Sequence, residues 1–204
     1  MSAPKATPRR RNLAITVAIG GLLAAVASLL RFVEAPLPIF PAFLKIDFSN
    51  IPALLGGFAM GPWVGLAVLL IKNIVYLPFS GTGGIGEIAD FIVSASLVLP
   101  AAWVYRYNKT FKGALLGMVL GTVAMTALAG PLMNYYVLIP LYSQFMPIDQ
   151  ILKMAAAANP NIDSVWTYIL YAVVPFNLFK SLVVCIVTYM LYKPLSPILH
   201  KYSR

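Results

Sequence analysis

Charge is what this chain has least of. Of its 204 residues 10% are Asp, Glu, Lys or Arg, and only six are acidic. Soluble domains carry about 25% charged residues. A chain that is 60% hydrophobic, with a mean hydropathy of +0.84, therefore reads as an integral membrane protein before any motif is considered. Cysteine and histidine are nearly missing too. The single Cys185 lies inside an apolar run and has no partner for an intrachain disulfide; with His200 as the one histidine, a zinc or haem site is not expected. No Ser-His, His-Glu or paired-carboxylate arrangement falls within the apolar runs, so no catalytic residue is assigned and an enzyme is not expected.

Long apolar runs are what the chain does have. The length suffices for about six membrane spans with short connections and leaves no room for a soluble catalytic domain. The reading is one all-α membrane domain over residues 1–204. The net charge of +9 is concentrated in three segments without acidic residues: Lys5 and Arg9 to Arg11 in a basic arm (1–11), Arg106, Lys109 and Lys112 in one loop, and Lys193, Lys201 and Arg204 in a basic tail (193–204). By the positive-inside rule all three are cytoplasmic, which puts both termini on that side and requires an even number of spans. Anionic lipid, and not nucleic acid, is the partner this placement implies.

The run from Leu13 to Leu30, with Ala25-Val26-Ala27 in it, has features of a cleavable signal but is long for one, and is read as the first span. Its small residues recur every four positions, as in Ala14 and Ala18, a spacing that lets another helix approach closely. Residues 31–50 cannot span, because Pro36, Pro38 and Pro41 interrupt any helix. Their apolar content suits an outer loop folded down as a lid. Ile51 to Met60 is a short helix with Ser49 or Asn50 as N-cap, broken by Gly61-Pro62. Trp63 to Leu77 returns outward and carries Lys72 and Asn73.

Gly81-Thr82-Gly83-Gly84-Ile85-Gly86 matches G-x-G-x-x-G, but its flanks are membrane helices and not a βαβ unit, so it reads as an outer turn. Glu87 and Asp90 open the fourth span, where they favour the helix dipole or pair with Lys72 or a ligand. The fifth span, Phe111 to about Leu141, carries a Gly113, Gly117, Gly121 ridge suited to internal packing and a kink at Gly130-Pro131. A short outer helix follows around Ile148 to Ala158.

The sixth span, Val165 to Tyr192, places Asn177 and Lys180 on one face at membrane depth. A mid-span lysine costs roughly 2.5–3.5 kcal/mol on insertion scales. Such a group is normally directed at a cavity or ligand, and this face is read as part of a binding site.

Taken together, Phe40-Pro41-Ala42-Phe43-Leu44-Lys45-Ile46-Asp47-Phe48-Ser49, Gly61-Pro62, Ile71-Lys72-Asn73, Gly86-Glu87-Ile88-Ala89-Asp90-Phe91 and Asn177-Leu178-Phe179-Lys180 resemble the riboflavin-specific S components, of RibU type, of energy-coupling-factor (ECF) transporters. The resemblance runs from the first span to the last. It implies a six-helix protein of the prokaryotic plasma membrane that binds riboflavin beneath the loop after its first helix. Leu44, Lys45 and Asp47 would lie in or near that lid, and Asn134, Asn177 and Lys180 would meet the flavin, with Glu87 as a further substrate contact. Phe43, Tyr135, Phe176 and Phe179 are the aromatic walls expected for the ring. Asp90 stands where the resemblance leads to asparagine. The implied partners are a membrane coupling protein, docked on the Ala14 and Ala18 ridge, and two ATPases. The absence of a Walker motif fits that division of labour. An S component for flavin mononucleotide or another vitamin is the nearest alternative. A stand-alone secondary transporter is the next, although no repeat or mid-membrane coupling carboxylate is visible.

Overall fold

The computed structural model describes residues 8–144 and 147–202; Lys5 of the basic arm and Arg204 of the tail lie outside them. Helix α1 (Pro8–Phe32) leads into a loop pinned by two short antiparallel strands, β1 (Ala35–Pro36) and β2 (Lys45–Ile46), in which Ala35 faces Ile46 and Pro36 faces Lys45. Helices α2 (Asn50–Met60) and α3 (Pro62–Tyr76) meet at Gly61. Its φ of +101° requires glycine, and Pro62 then starts α3 where no N–H is needed. A 3₁₀ turn (Leu77–Phe79) and the glycine-rich turn, with Gly83 and Gly84 at positive φ, precede α4 (Ile85–Tyr107).

Helix α5 (Phe111–Tyr142) begins at Thr110, whose hydroxyl accepts the Gly113 N–H at 3.1 Å. It widens twice into π-helix, over Ala124–Ala129 and Asn134–Leu138, on either side of Gly130-Pro131. The short outer helix is α6 (Ile148–Ala156). The last helix, α7, runs over 165–202 from a Ser164 and Thr167 capping box, with a π-helical stretch at Ile169–Val173 just before Pro175. Proline removes a backbone donor, and a π turn is one way for a helix to accommodate the loss.

Among the described residues, five helices are long and apolar enough to cross a membrane: Leu13–Phe32, Pro62–Phe79, Ile85–Tyr107, Phe111–Tyr142 and Val165–Tyr192. Of the other two, α6 is a nine-residue outer helix and α2 extends only about 16 Å, half the hydrocarbon thickness. Yet it is the centre of the bundle, buried at every residue from Asn50 to Ala59 and packed against α1, α3, α4 and α7. The loop after α1 runs directly into it, with Asp47 and Ser49 fully buried beside its first turn.

Ring contacts align the ends. Trp63 at the start of α3 meets Trp103 near the end of α4 at 5.7 Å, and Phe58 of α2 packs on Tyr105 and Tyr192 at 4.8 and 6.3 Å. Phe111, opening α5, packs on Tyr189 at 4.7 Å. The α2–α3 turn, the α4–α5 loop and the late part of α7 thus share one end of the bundle. At the other end Phe32 packs against Tyr76 and Phe79 at 5.2 and 5.0 Å.

The α5 glycine ridge packs internally, as expected. A Cβ on Gly117 would stand 2.6 Å from the Ala101 carbonyl of α4, and one on Gly121 would overlap that of Leu97. The expected side-chain cap of α2 is not made. Ser49 precedes the helix, but its hydroxyl is engaged by Asp47 and Lys72.

Candidate functional site

Beneath the loop after α1, at the end of the bundle that holds Arg31 and Phe79, lies a cavity of about 580 Å³. The lid supplies Glu34, Phe43, Leu44 and Lys45, and the turn after α3 supplies Phe79, Gly81 and Thr82. Helix α4 adds Glu87 and Asp90, α5 adds Met125, Asn134, Ile139 and Tyr142, α6 adds Ile151 and Met154, and α7 adds Tyr168, Phe176, Asn177 and Lys180. Leu44, Lys45, Glu87, Asn134, Asn177 and Lys180 are therefore brought together from segments more than a hundred residues apart in sequence. Asp47 is fully buried and does not line the cavity. It stands behind the wall and holds two groups that do.

Those groups belong to a buried ionic network. Asp47 Oδ2 accepts from Lys180 Nζ at 2.8 Å and from Arg31 at 3.1 Å. Lys180 also reaches Asp90 at 3.3 Å, and Asp90 meets Lys72 at 2.9 Å. Lys72, fully buried, spends its remaining donors on Ser49 at 2.6 Å and Asn50 at 2.7 Å. Nearer the mouth, Glu34 pairs with Arg31 at 3.1 Å and with Lys45 at 2.6 Å, while the Arg31 guanidinium lies 4.7 Å over the Tyr76 ring. Burial alone would raise the Asp47 carboxyl. The ammonium groups of Lys180 and Lys72, with Arg31, outweigh that and the opposing Asp90, and hold it well below the usual carboxylate range.

The pairing of Lys72 expected from sequence is thus made by Asp90. Glu87 instead accepts from Ser80 at 2.6 Å and Thr82 at 3.4 Å. Lys180 is an ion-paired lysine that also lines the cavity. Two of its three donors are taken, which leaves one for a ligand.

The two asparagines are fixed by their own helices. Asn134 donates to Gly130 O at 2.8 Å and accepts the Tyr168 hydroxyl at 3.1 Å, and Asn177 donates to Val173 O at 2.9 Å. Each keeps an amide hydrogen in reserve, and Asn177 Oδ1 has no protein partner among the described residues. Gly130 makes room for Asn177, since a Cβ there would lie 2.6 Å from its Nδ2.

Of the aromatic walls expected, Phe43 and Phe176 line the cavity. Tyr135 does not; it stacks on Trp166 at 5.3 Å on an outer face. Phe179 packs on Phe40 of the lid at 6.3 Å, away from the cavity. Tyr76, Phe79, Tyr142 and Tyr168 take those places. None of the four carried a signal in sequence, because aromatic residues at helix ends of a membrane protein ordinarily mark the interface.

The model of the ECF transporter substrate-specific component matches residues 15–192. The chain belongs to that family. It is 34% identical over 180 residues to the riboflavin transporter RibU of Staphylococcus aureus (strain TCH60), covering 88% of this chain and 89% of that one. To the riboflavin transporter FmnP of Bacillus subtilis (strain 168) it is 31% identical over 183 residues, covering 86% and 89%. A solved S component of a bacterial ECF transporter superposes with a TM-score of 0.73 at 30% identity, over 92% of this chain and 98% of the other. This is a membrane transport family, and its S components are not enzymes.

Proposed function

We propose that this S component captures riboflavin in the cavity beneath its lid and delivers it inward through an ECF coupling protein driven by two ATPases. The observation that carries the reading is the lining of the cavity. Its volume of about 580 Å³ suits a single vitamin-sized ligand. Amides at Asn134 and Asn177 match a ring bearing both acceptors and an imide donor, Lys180 offers a hydrogen to a ring oxygen, and Phe43, Tyr168 and Phe176 supply apolar faces. Leu44 and Lys45 close the lid side. Both riboflavin transporters named above are similar over most of their length, which supports the same choice of ligand here.

The protein sits in the prokaryotic plasma membrane and crosses it six times, α2 completing the count, with both termini cytoplasmic. Support comes from the shared end of the bundle, where the basic α4–α5 loop, the α2–α3 turn and late α7 meet. The cavity then opens on the outer side.

Fluorescence titration of the purified protein tests the binding step. Riboflavin emission should be quenched to an endpoint of one flavin per chain, and protein purified from riboflavin-containing medium should absorb visible light. Folded protein that quenches no flavin would remove the proposal.

A further inference from the structure

Glu87 differs from every other carboxylate on the cavity wall. Glu34 and Asp90 each lie in two ion pairs, whereas no Lys, Arg or His among the described residues comes within ion-pair distance of Glu87. It is 94% buried, at 6% exposure. Oε2 is held by the hydroxyls of Ser80 and Thr82, while Oε1 has no protein partner among the described residues. Oε1 is therefore left open to the cavity, where a ligand hydroxyl can donate to it.

The cations of the wall are in the opposite condition. Arg31 is committed to Glu34 and Asp47, Lys45 to Glu34, and Lys180 to Asp47 and Asp90. An anionic group entering the cavity therefore finds no unpaired cation and one unpaired carboxylate.

We propose that Glu87 is a specificity-determining residue that accepts a hydroxyl of the ligand's polyol chain and rejects the phosphate ester of the same flavin. The assignment rests on riboflavin being the ligand. A carboxylate only accepts hydrogen bonds, so it suits hydroxyl donors. The Thr82 hydroxyl extends the same polar wall, with Ser80 holding Glu87 from behind it, whereas the ring belongs with the amides and aromatics of α5 and α7. A phosphomonoester carries about −1.5 to −2 charges at pH 7. Beside a buried, unpaired carboxylate that charge is repelled, and like charges across an interface discriminate strongly.

The test compares riboflavin, flavin mononucleotide and lumiflavin, which has the ring without the polyol, on the wild-type chain and on Glu87→Gln. The wild type should bind riboflavin at least tenfold more tightly than the mononucleotide. Glu87→Gln should narrow that ratio at least fivefold, chiefly by improving mononucleotide binding. A wild-type ratio near one overturns the proposal without any variant. So does an unchanged ratio in Glu87→Gln, or a loss of lumiflavin affinity as large as the change for riboflavin. A wild type that binds none of the three flavins would instead refute the riboflavin reading itself.

Discussion

Removing the Lys180 ammonium leaves Asp47 and Asp90 each short of a partner now 2.8 and 3.3 Å away. Breaking a buried pair by deleting one member typically costs about 3–5 kcal/mol, because the other charge stays buried and uncompensated. Lys180→Met should therefore lower the thermal midpoint in detergent as well as weaken flavin binding. Adding Asp47→Asn should recover part of that stability without restoring affinity. A stable Lys180→Met protein with weakened binding would make the lysine a ligand contact first.

The acid limb follows from the same network. The Asp47 carboxyl is held below its unfolded value of about 3.9, so its contribution is fully present above that pH. It is lost as pH falls further toward the folded value. Asn177 and Lys180 were legible in sequence because polar groups within an apolar run are costly and point somewhere. The partners of Lys180 were not: Asp47 and Asp90 come from two other segments, and nothing local to either encodes the meeting. Tyr135 was misassigned for a related reason. It follows Asn134, and once Asn134 faces the cavity its neighbour is turned about 100° away.

At the scale of the helix, α4 and α5 approach closely because Gly117 and Gly121 carry no side chain where the α4 carbonyls pass. Gly117→Ala brings a methyl to 2.6 Å from the Ala101 oxygen, so the helices must separate. Overpacking of this kind costs about 1–3 kcal/mol. Gly21 of α1 is the control, with nothing within 4 Å of its would-be Cβ. There alanine should be neutral or slightly stabilising, since it is the better helix former. Melting temperatures of the two variants should move apart, with Gly117→Ala the lower; equal values would remove the ridge from the packing. This ridge was readable from its four-residue spacing. The π-helical stretches were not, for Gly130-Pro131 announces a kink but not its form, and the widened turns carry Met125 and Asn134 into the cavity.

For the whole molecule the decisive feature is the separation between the cavity and the outer face of α1. Ala14, Ala18, Gly21 and Ala25 are exposed along one stripe of that helix, while Ala24, Ala27 and Ser28 face the bundle. The stripe ends at Ala25, about 9 Å along the axis from Arg31, the α1 residue on the cavity wall, and Ala18 lies about 20 Å from it. Bulk added at Ala14 or Ala18 therefore projects outward and touches neither lid nor lining. If a coupling protein docks there through close helix approach, leucine at either position should cut riboflavin uptake in cells at least tenfold and leave the Kd of the purified protein within twofold of wild type. Loss of uptake and binding together would assign the stripe to the protein's own packing, against the exposure seen at both alanines. Full uptake with both leucines present would place the docking surface on another helix.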